Sequence, residues 1–242
     1  MINAAAMKPC GIAIKDFYMG DIAAEVKIYR DDGAVSLLAI SAFFRGALDF
    51  QLDKIALDSC RGRVLDVGAG AGLHSLYLQE KGFSVCALDV SPEACEVMRH
   101  RGVKEVRCAS FSDFQAEPYD TLLILGRSIS MVETLAGLDD FLKDASRLVK
   151  SGGQILLNSL DVSKTTDPKN LAYHEANRRA GRYIGELRIH MDYKGTKGPV
   201  TGLLHVDAVT LEKHTAKTGW SREVLVQEKD GNYLARLTGK NE

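Results

Sequence analysis

Two hydrophobic rhythms divide the chain. Between Arg63 and Asn158, short apolar runs alternate with stretches whose apolar residues recur every three or four positions. The first kind reads as a buried strand and the second as an amphipathic helix. Predicted strands are Arg63–Val67, Ser84–Leu88, Glu105–Ala109, Tyr119–Leu125 and Gln154–Asn158. The near-unbroken apolarity of Tyr119–Leu125 is what a central parallel strand, covered on both faces, requires. Between the strands lie a helix from Leu73, one from Ser91 to Gly102, and one through Leu138, Phe141, Leu142, Ala145 and Val149. Ser91 caps its helix, Pro92 occupies the first turn and Gly102 stops it. Strict alternation of this kind predicts a parallel sheet with right-handed crossovers.

The flanks keep a different beat. Residues 1 to 12 show no pattern, and an alternating pair of runs around Asp31-Asp32-Gly33 predicts a hairpin. Phe44, Leu48, Leu52, Ile55 and Ala56 then fall on one helical face, ending near Cys60. After residue 160 come a polar helix over 169–181, strands over 186–193 and 200–206, a helix over 208–218, and a closing antiparallel hairpin, 223–227 with 233–237. Segment 161–207 reads as an insertion at the carboxyl edge of the sheet, where an acceptor would bind.

At 242 residues, 45% hydrophobic and 26% charged, the composition is that of an ordinary globular protein. A net charge of −1 provides no field to draw in nucleic acid or anionic lipid. No window approaches a membrane span and no signal-peptide core is visible, so a cytoplasmic monomer or homodimer is expected, with no metal. Five cysteines without C-x-x-C spacing suit reduced thiols, and Cys86 and Cys108 read as buried strand residues.

The chemistry concentrates at Asp66-Val67-Gly68-Ala69-Gly70-Ala71-Gly72. A strand enters a turn with glycine at every second position and leaves as a helix. Such a turn needs unusual dihedrals and lets a ligand approach the backbone. It could seat a pyrophosphate on the helix N-terminus, but Leu73 stands where a dinucleotide fingerprint wants its third glycine. Asp66 would repel a pyrophosphate and attract an ammonium group. Asp89, ending the next strand, is placed for ribose hydroxyls and does not by itself separate the two ligands.

With Asp89-Val90-Ser91-Pro92, this constellation resembles the class I S-adenosylmethionine-dependent methyltransferases, well over residues 40–160 and loosely beyond. The resemblance implies an α/β, Rossmann-like three-layer sandwich whose mostly parallel seven-stranded sheet ends in an antiparallel hairpin. Residues 1–60 would form a lid and 61–242 the methyltransferase domain, interrupted at about 161–207. The cofactor S-adenosylmethionine, leaving as S-adenosylhomocysteine, would lie on Asp66, Gly68, Ala69, Gly70, Gly72, Asp89, Val90, Ser110, Phe111, Leu125 and Gly126.

Leu125-Gly126-Arg127-Ser128 stands where amino-directed relatives carry Asn/Asp-Pro-Pro-Tyr/Phe, which disfavours base or glutamine methylation. No Pro-Cys nucleophile is present. A small-molecule acceptor, methylated on O, N or S by in-line displacement, is the expectation. Tyr18, Tyr29, Arg45, Arg127 and Arg178 are its candidate ligands. His174, His190 and His205 are candidate bases should the acceptor need one. The competing readings are a methyltransferase-like scaffold without turnover and an NAD-dependent oxidoreductase.

Overall fold

The computed structural model describes residues 3–239. Its chain order is helix α1 (Ala4–Tyr18), strands β1 (Glu25–Arg30) and β2 (Val35–Ala39), and helix α2 (Gln51–Asp58). The alternating series follows: β3 (Val64–Val67), α3 (Leu73–Glu80), β4 (Val85–Asp89), α4 (Pro92–His100), β5 (Glu105–Cys108), β6 (Tyr119–Ile124), α5 (Leu135–Ser146) and β7 (Val149–Leu160). The remainder supplies α6 (Pro168–Arg179), β8 (Glu186–Tyr193), β9 (Thr196–Lys197), β10 (Thr201–Leu204), α7 (Ala208–Lys217), β11 (Trp220–Gln227) and β12 (Asn232–Gly239).

The main sheet has seven strands in the order β11-β12-β7-β6-β3-β4-β5. From β7 to β5 the neighbours are parallel, while β12 runs antiparallel to both β7 and β11. Alternate side chains supply its two cores. Leu65, Val67, Leu122, Ile124, Ile155 and Leu157 pack against Phe141 and Leu142 of α5 and Leu211 of α7. Val64, Leu123 and Leu156 pack on the opposite face against Leu52 and Ala56 of α2 and Leu78 of α3. The result is three layers, helix on sheet on helix.

A second, five-stranded antiparallel sheet was not anticipated. Its order is β10-β8-β1-β2, with β9 on β8. The hairpin near the start of the chain and the strands of the insertion, read separately from sequence, pair with each other through Lys27↔Asp192, Ile28↔Met191, Tyr29↔His190 and Arg30↔Ile189. Val26, Ile189, Met191 and Tyr193 turn inward onto Cys10, Ala13 and Ile14 of α1. This cap sits over the carboxyl ends of the main strands.

Several local expectations are corrected. Residues 4–18 form a capped helix, Asn3 accepting from the Ala6 amide at 3.0 Å. Pro9 and Gly11 disguise it in the sequence, yet both are buried in it. A Cβ on Gly11 would fall 2.1 Å from Ser91 Oγ, so glycine is what lets α1 cross the start of α4 so closely. The apolar face expected over 44–56 is helical only from Gln51, because Ile40–Phe43 is a 3-10 turn and residues 44–50 form bends. Strand β7 starts at Val149, well before Gln154. Cys86 is buried as expected, but Cys108 is exposed on the edge strand.

Candidate active site

Strand order reverses between β3 and β6: from β3 the chain moves outward to β4 and β5, and from β6 it moves the other way to β7. Such a switch point opens a crevice beyond the carboxyl ends of the strands. A cavity occupies it, with the glycine turn at its floor and the cap as its roof.

The turn is shaped by three left-handed glycines, Gly68 (φ 71°), Gly70 (φ 57°) and Gly72 (φ 79°). Amides of Gly68 and Ala69 both donate to the Leu88 carbonyl, at 2.8 and 3.2 Å, which ties the turn to β4. A Cβ on Gly70 would lie 2.8 Å from the Phe43 ring, and one on Gly68 would lie 2.8 Å from Ser128 Oγ. The close approach of Phe43 and Ser128 to the turn therefore depends on bare backbone as well as on dihedral freedom.

Asp89 lies in the cavity wall at the end of β4. Its carboxylate accepts from the Gly70 amide at 2.8 Å and the Ser91 amide at 2.9 Å. A carboxylate offers about four lone-pair sites, so acceptors remain for hydroxyls. Burial raises its pKa, and these two amides oppose the rise. Asp66 is placed differently. In β3 it shares a face with Val64, whereas Val67 faces the cavity, so the Asp66 carboxylate points behind the turn and accepts from Ser75 Oγ at 2.6 Å. Burial raises its pKa too, with His74 the main opposing influence.

Of the other residues expected around the cofactor, Gly68, Gly70, Val90, Ser110, Phe111 and Gly126 line the cavity. Phe111 also packs on Phe141, with ring centroids 4.6 Å apart. Ala69 and Leu125 are buried core, and Gly72 packs under Val103 and Met98.

Among the acceptor candidates only Arg127 reaches the wall. It sits in the left-handed region (φ 61°), directly after Gly126 (φ 65°). Its amide donates to Asn158 Oδ1 at 2.9 Å and its Nε to Asn232 Oδ1 at 3.1 Å. The others are corrections. Arg45 pairs with Asp53, whose same oxygen also takes His74 Nε2 at 3.2 Å, and so fastens the Ile40–Phe50 strap to the body. Tyr29 and His190 stack face to face at 4.8 Å on the outer side of the cap, because Ile28 and Met191 take the inner side. Tyr18 is exposed beside His100, and Arg178 pairs with Glu175 on the surface of α6.

The three histidines separate. His174 is a buried residue of α6 and lies outside the cavity, its pKa lowered by burial and by Arg178 and Arg30. His190 points outward. His205 lies beside Arg127, two residues beyond the lining residue Leu203, and its Nδ1 is buried without a partner among the described residues. Burial, reinforced by Arg127, lowers its pKa to about 4, so it is neutral near pH 7.

Sequence reading expected a lid over residues 1–60 and an acceptor-side insertion at 161–207, but it named none of the roof's apolar side chains: Cys10, Ile14, Ile28, Leu38, Met191 and Leu203. Burial pushes the Cys10 thiol up to about 12, leaving it an inert apolar surface. Arg101 was missed as well. It donates to the Ala71 carbonyl at 2.5 Å and lies 4.9 Å from the Phe44 ring centroid, bracing the turn against the strap.

A glycine turn, an acid closing the next strand and a reversal of strand order define a nucleotide-binding α/β protein of the Rossmann-like class. Comparison with known proteins narrows this. Residues 65–157 match the family described as a methyltransferase domain. A methyltransferase from Bacteroides fragilis, dependent on S-adenosylmethionine and solved with S-adenosyl-L-homocysteine, superposes with a TM-score of 0.86 and 31% identity, covering 100% of this chain and 98% of that one. The chain belongs to the S-adenosylmethionine-dependent methyltransferases. The CcbJ methyltransferase from Streptomyces caelestis shares the fold, with a TM-score of 0.61 at 11% identity over 82% of this chain and 92% of that one. A ubiquinone biosynthesis O-methyltransferase from Xanthomonas oryzae is 32% identical over 121 residues, 46% of this chain and 49% of that protein. The chain thus spans about half the length of the curated relatives it matches.

Proposed function

We propose that the chain methylates an oxygen of a small molecule held between the glycine turn and the cap. The observation that carries this reading is the composition of one cavity. Gly68, Gly70 and Asp89 contribute at its floor, and side chains from outside the nucleotide fold, Ile14, Ile28, Met191 and Leu203, contribute above. A roof assembled from α1 and the cap sheet leaves room for a small acceptor and none for a duplex or a folded partner. Residues 1–60 and 161–207 act together as the lid. Oxygen is favoured by the absence of the Asn/Asp-Pro-Pro-Tyr/Phe acceptor set after β6, and by the O-methyltransferase name of the ubiquinone-pathway relatives.

The residues present suit the cofactor: the turn has room that a Cβ would fill, and Asp89 keeps acceptors for a ribose. Gly68, Gly70, Asp89, Val90, Ser110 and Gly126 would hold it, with Asp66 acting from behind by fixing α3 to the turn through Ser75. When bound, it supplies a methyl group on a sulfonium, already activated towards displacement. The protein's own work is to bind, to align and to exclude water. The apolar roof does the last of these. A hydroxyl acceptor must lose its proton, and His205, neutral and next to Arg127, is the histidine we retain as its receiver.

Radiolabelled S-adenosylmethionine should deliver label to a methyl ether product from a pool of hydroxylated metabolites, with Asp89→Ala as the blank. Labelling confined to amines would overturn the oxygen assignment, and failure to bind S-adenosylhomocysteine would overturn the cofactor site.

A further inference from the structure

Among the described residues Arg127 is the one cation lining this cavity, and although it is exposed at the rim it is fixed at both its backbone and its side chain. Arg127 occupies a left-handed backbone position (φ 61°) that non-glycine residues rarely adopt. Two asparagines hold it there. Asn158, largely buried, accepts from its amide, and Asn232 accepts from Nε. Asn232 is itself anchored by donating its Nδ2 to Asp230 Oδ2 at 2.7 Å and its amide to Oδ1 at 3.0 Å. With Nε taken, the guanidinium presents its Nη1 and Nη2 edge. Among the described residues, neither nitrogen has a hydrogen-bond partner, and no carboxylate pairs with Arg127. Asp230 lies near enough to feel the charge, but its oxygens are already occupied by Asn232. His205, the other titratable neighbour, is neutral and adds no second charge.

Around this edge the cavity is apolar at Met131, Leu203, Met191 and Ile28, with Ser128 and Ser130 as the nearby hydroxyls. The one acid lining it among the described residues, Asp89, stands at the end of β4, on the far side of β3 from the end of β6 that precedes Arg127. An unpaired two-donor edge at the exposed rim of an apolar chamber matches a planar monoanion with two oxygens. One guanidinium neutralises a carboxylate, whereas a phosphate dianion would leave charge unmatched in an apolar surround.

We infer that the acceptor is an apolar small molecule carrying a carboxylate, and that Arg127, held by Asn158 and Asn232, grips that carboxylate end-on. The inference rests on the methyl-acceptor reading above and gives it a substrate class. The carboxylate is the handle and the methylated oxygen lies elsewhere on the molecule, because both carboxylate oxygens are engaged and poorly nucleophilic.

The test uses octanoate, octanol and octyl phosphate as probes, titrated calorimetrically into the full chain saturated with S-adenosylhomocysteine. Octanoate should bind about tenfold or more tightly than octanol, and more tightly than octyl phosphate. R127M should bring octanoate down to the level of octanol, and N232A, which keeps the charge but releases its aim, should give an intermediate preference. Retained S-adenosylhomocysteine binding by each variant shows that it is folded. Equal binding of octanoate and octanol, no binding of either, tighter binding of the phosphate, or a carboxylate preference that survives both substitutions would overturn the inference. Failure of the unmodified chain to bind S-adenosylhomocysteine would instead strike the cofactor reading, so the two failures are distinct.

Discussion

Floor and roof face each other across one cavity, yet they are made in different ways. Gly68, Gly70 and Asp89 belong to one β-α-β unit and act through backbone dihedrals, amides and a carboxylate. The roof collects Ile14, Ile28, Leu38, Met191 and Leu203 from α1, two paired hairpins and the insertion, and acts through apolar surface. The floor has almost no freedom to vary without losing its ligand. The roof can exchange one apolar side chain for another and change the shape of what it accepts. A conserved reaction on a variable acceptor needs that division.

Substitutions separate the two halves. The largest effect is expected from Gly70→Val, which puts a β-branched residue at φ 57° and against Phe43. S-adenosylhomocysteine should bind about a hundredfold more weakly by calorimetry. A loss of less than about fivefold would show that the turn does not carry the cofactor. Met191→Ala should do the reverse. Truncating this buried roof residue should cost about 2 kcal/mol or more of stability in a urea titration, while cofactor affinity stays within about threefold. A large loss of affinity would merge the two halves into one.

Smaller, pH-dependent effects sharpen the picture. The native chain holds His205 near pKa 4 against an ordinary 6.5, so it resists a proton that the unfolded chain accepts. His205 therefore favours folding fully above pH 6.5, and that contribution is lost as pH falls towards 4, at about 1.4 kcal/mol per pH unit. His205→Gln should flatten the stability profile in this window, and an unchanged slope would place the histidine in water. Asp66 has the opposite sense. Its raised pKa means the native state keeps the proton longer, so its contribution is full at low pH and fades as pH rises through the folded value. Asp66→Asn should gain in melting temperature relative to the parent as pH rises above the ordinary carboxylate value of about 4, and a gap that narrows as pH rises would contradict the buried placement.

What the sequence disclosed follows the same line. The floor was legible because strand, turn, cap and acid lie within a short stretch and each has its own residue signature. Asp66 was read in the right element and on the wrong face. Val67, its neighbour, takes the cavity side, and alternation along a strand permits only one of them there. The same alternation, with Met191 inward, would have turned His190 and Tyr29 outward. The roof stayed hidden because the pairing of Lys27 with Asp192 leaves no mark in either segment alone. Arg45 carries none of Asp53 and His74 in its own surroundings, and Pro9 with Gly11 made α1 look like a breaker-rich tail.

The pairing of β1 with β8 also sets a timetable. A ribosome delivers Glu25–Arg30 long before it reaches Glu186–Tyr193, and non-local strand pairing is slow even in a finished chain. Until then the outer edge of β1 presents unpaired amides and carbonyls, the kind of surface that invites foreign strands. The earliest strands to be made thus wait for a partner that leaves the ribosome only after β3 to β7, and the chamber gains its roof after the strands of its floor have been made.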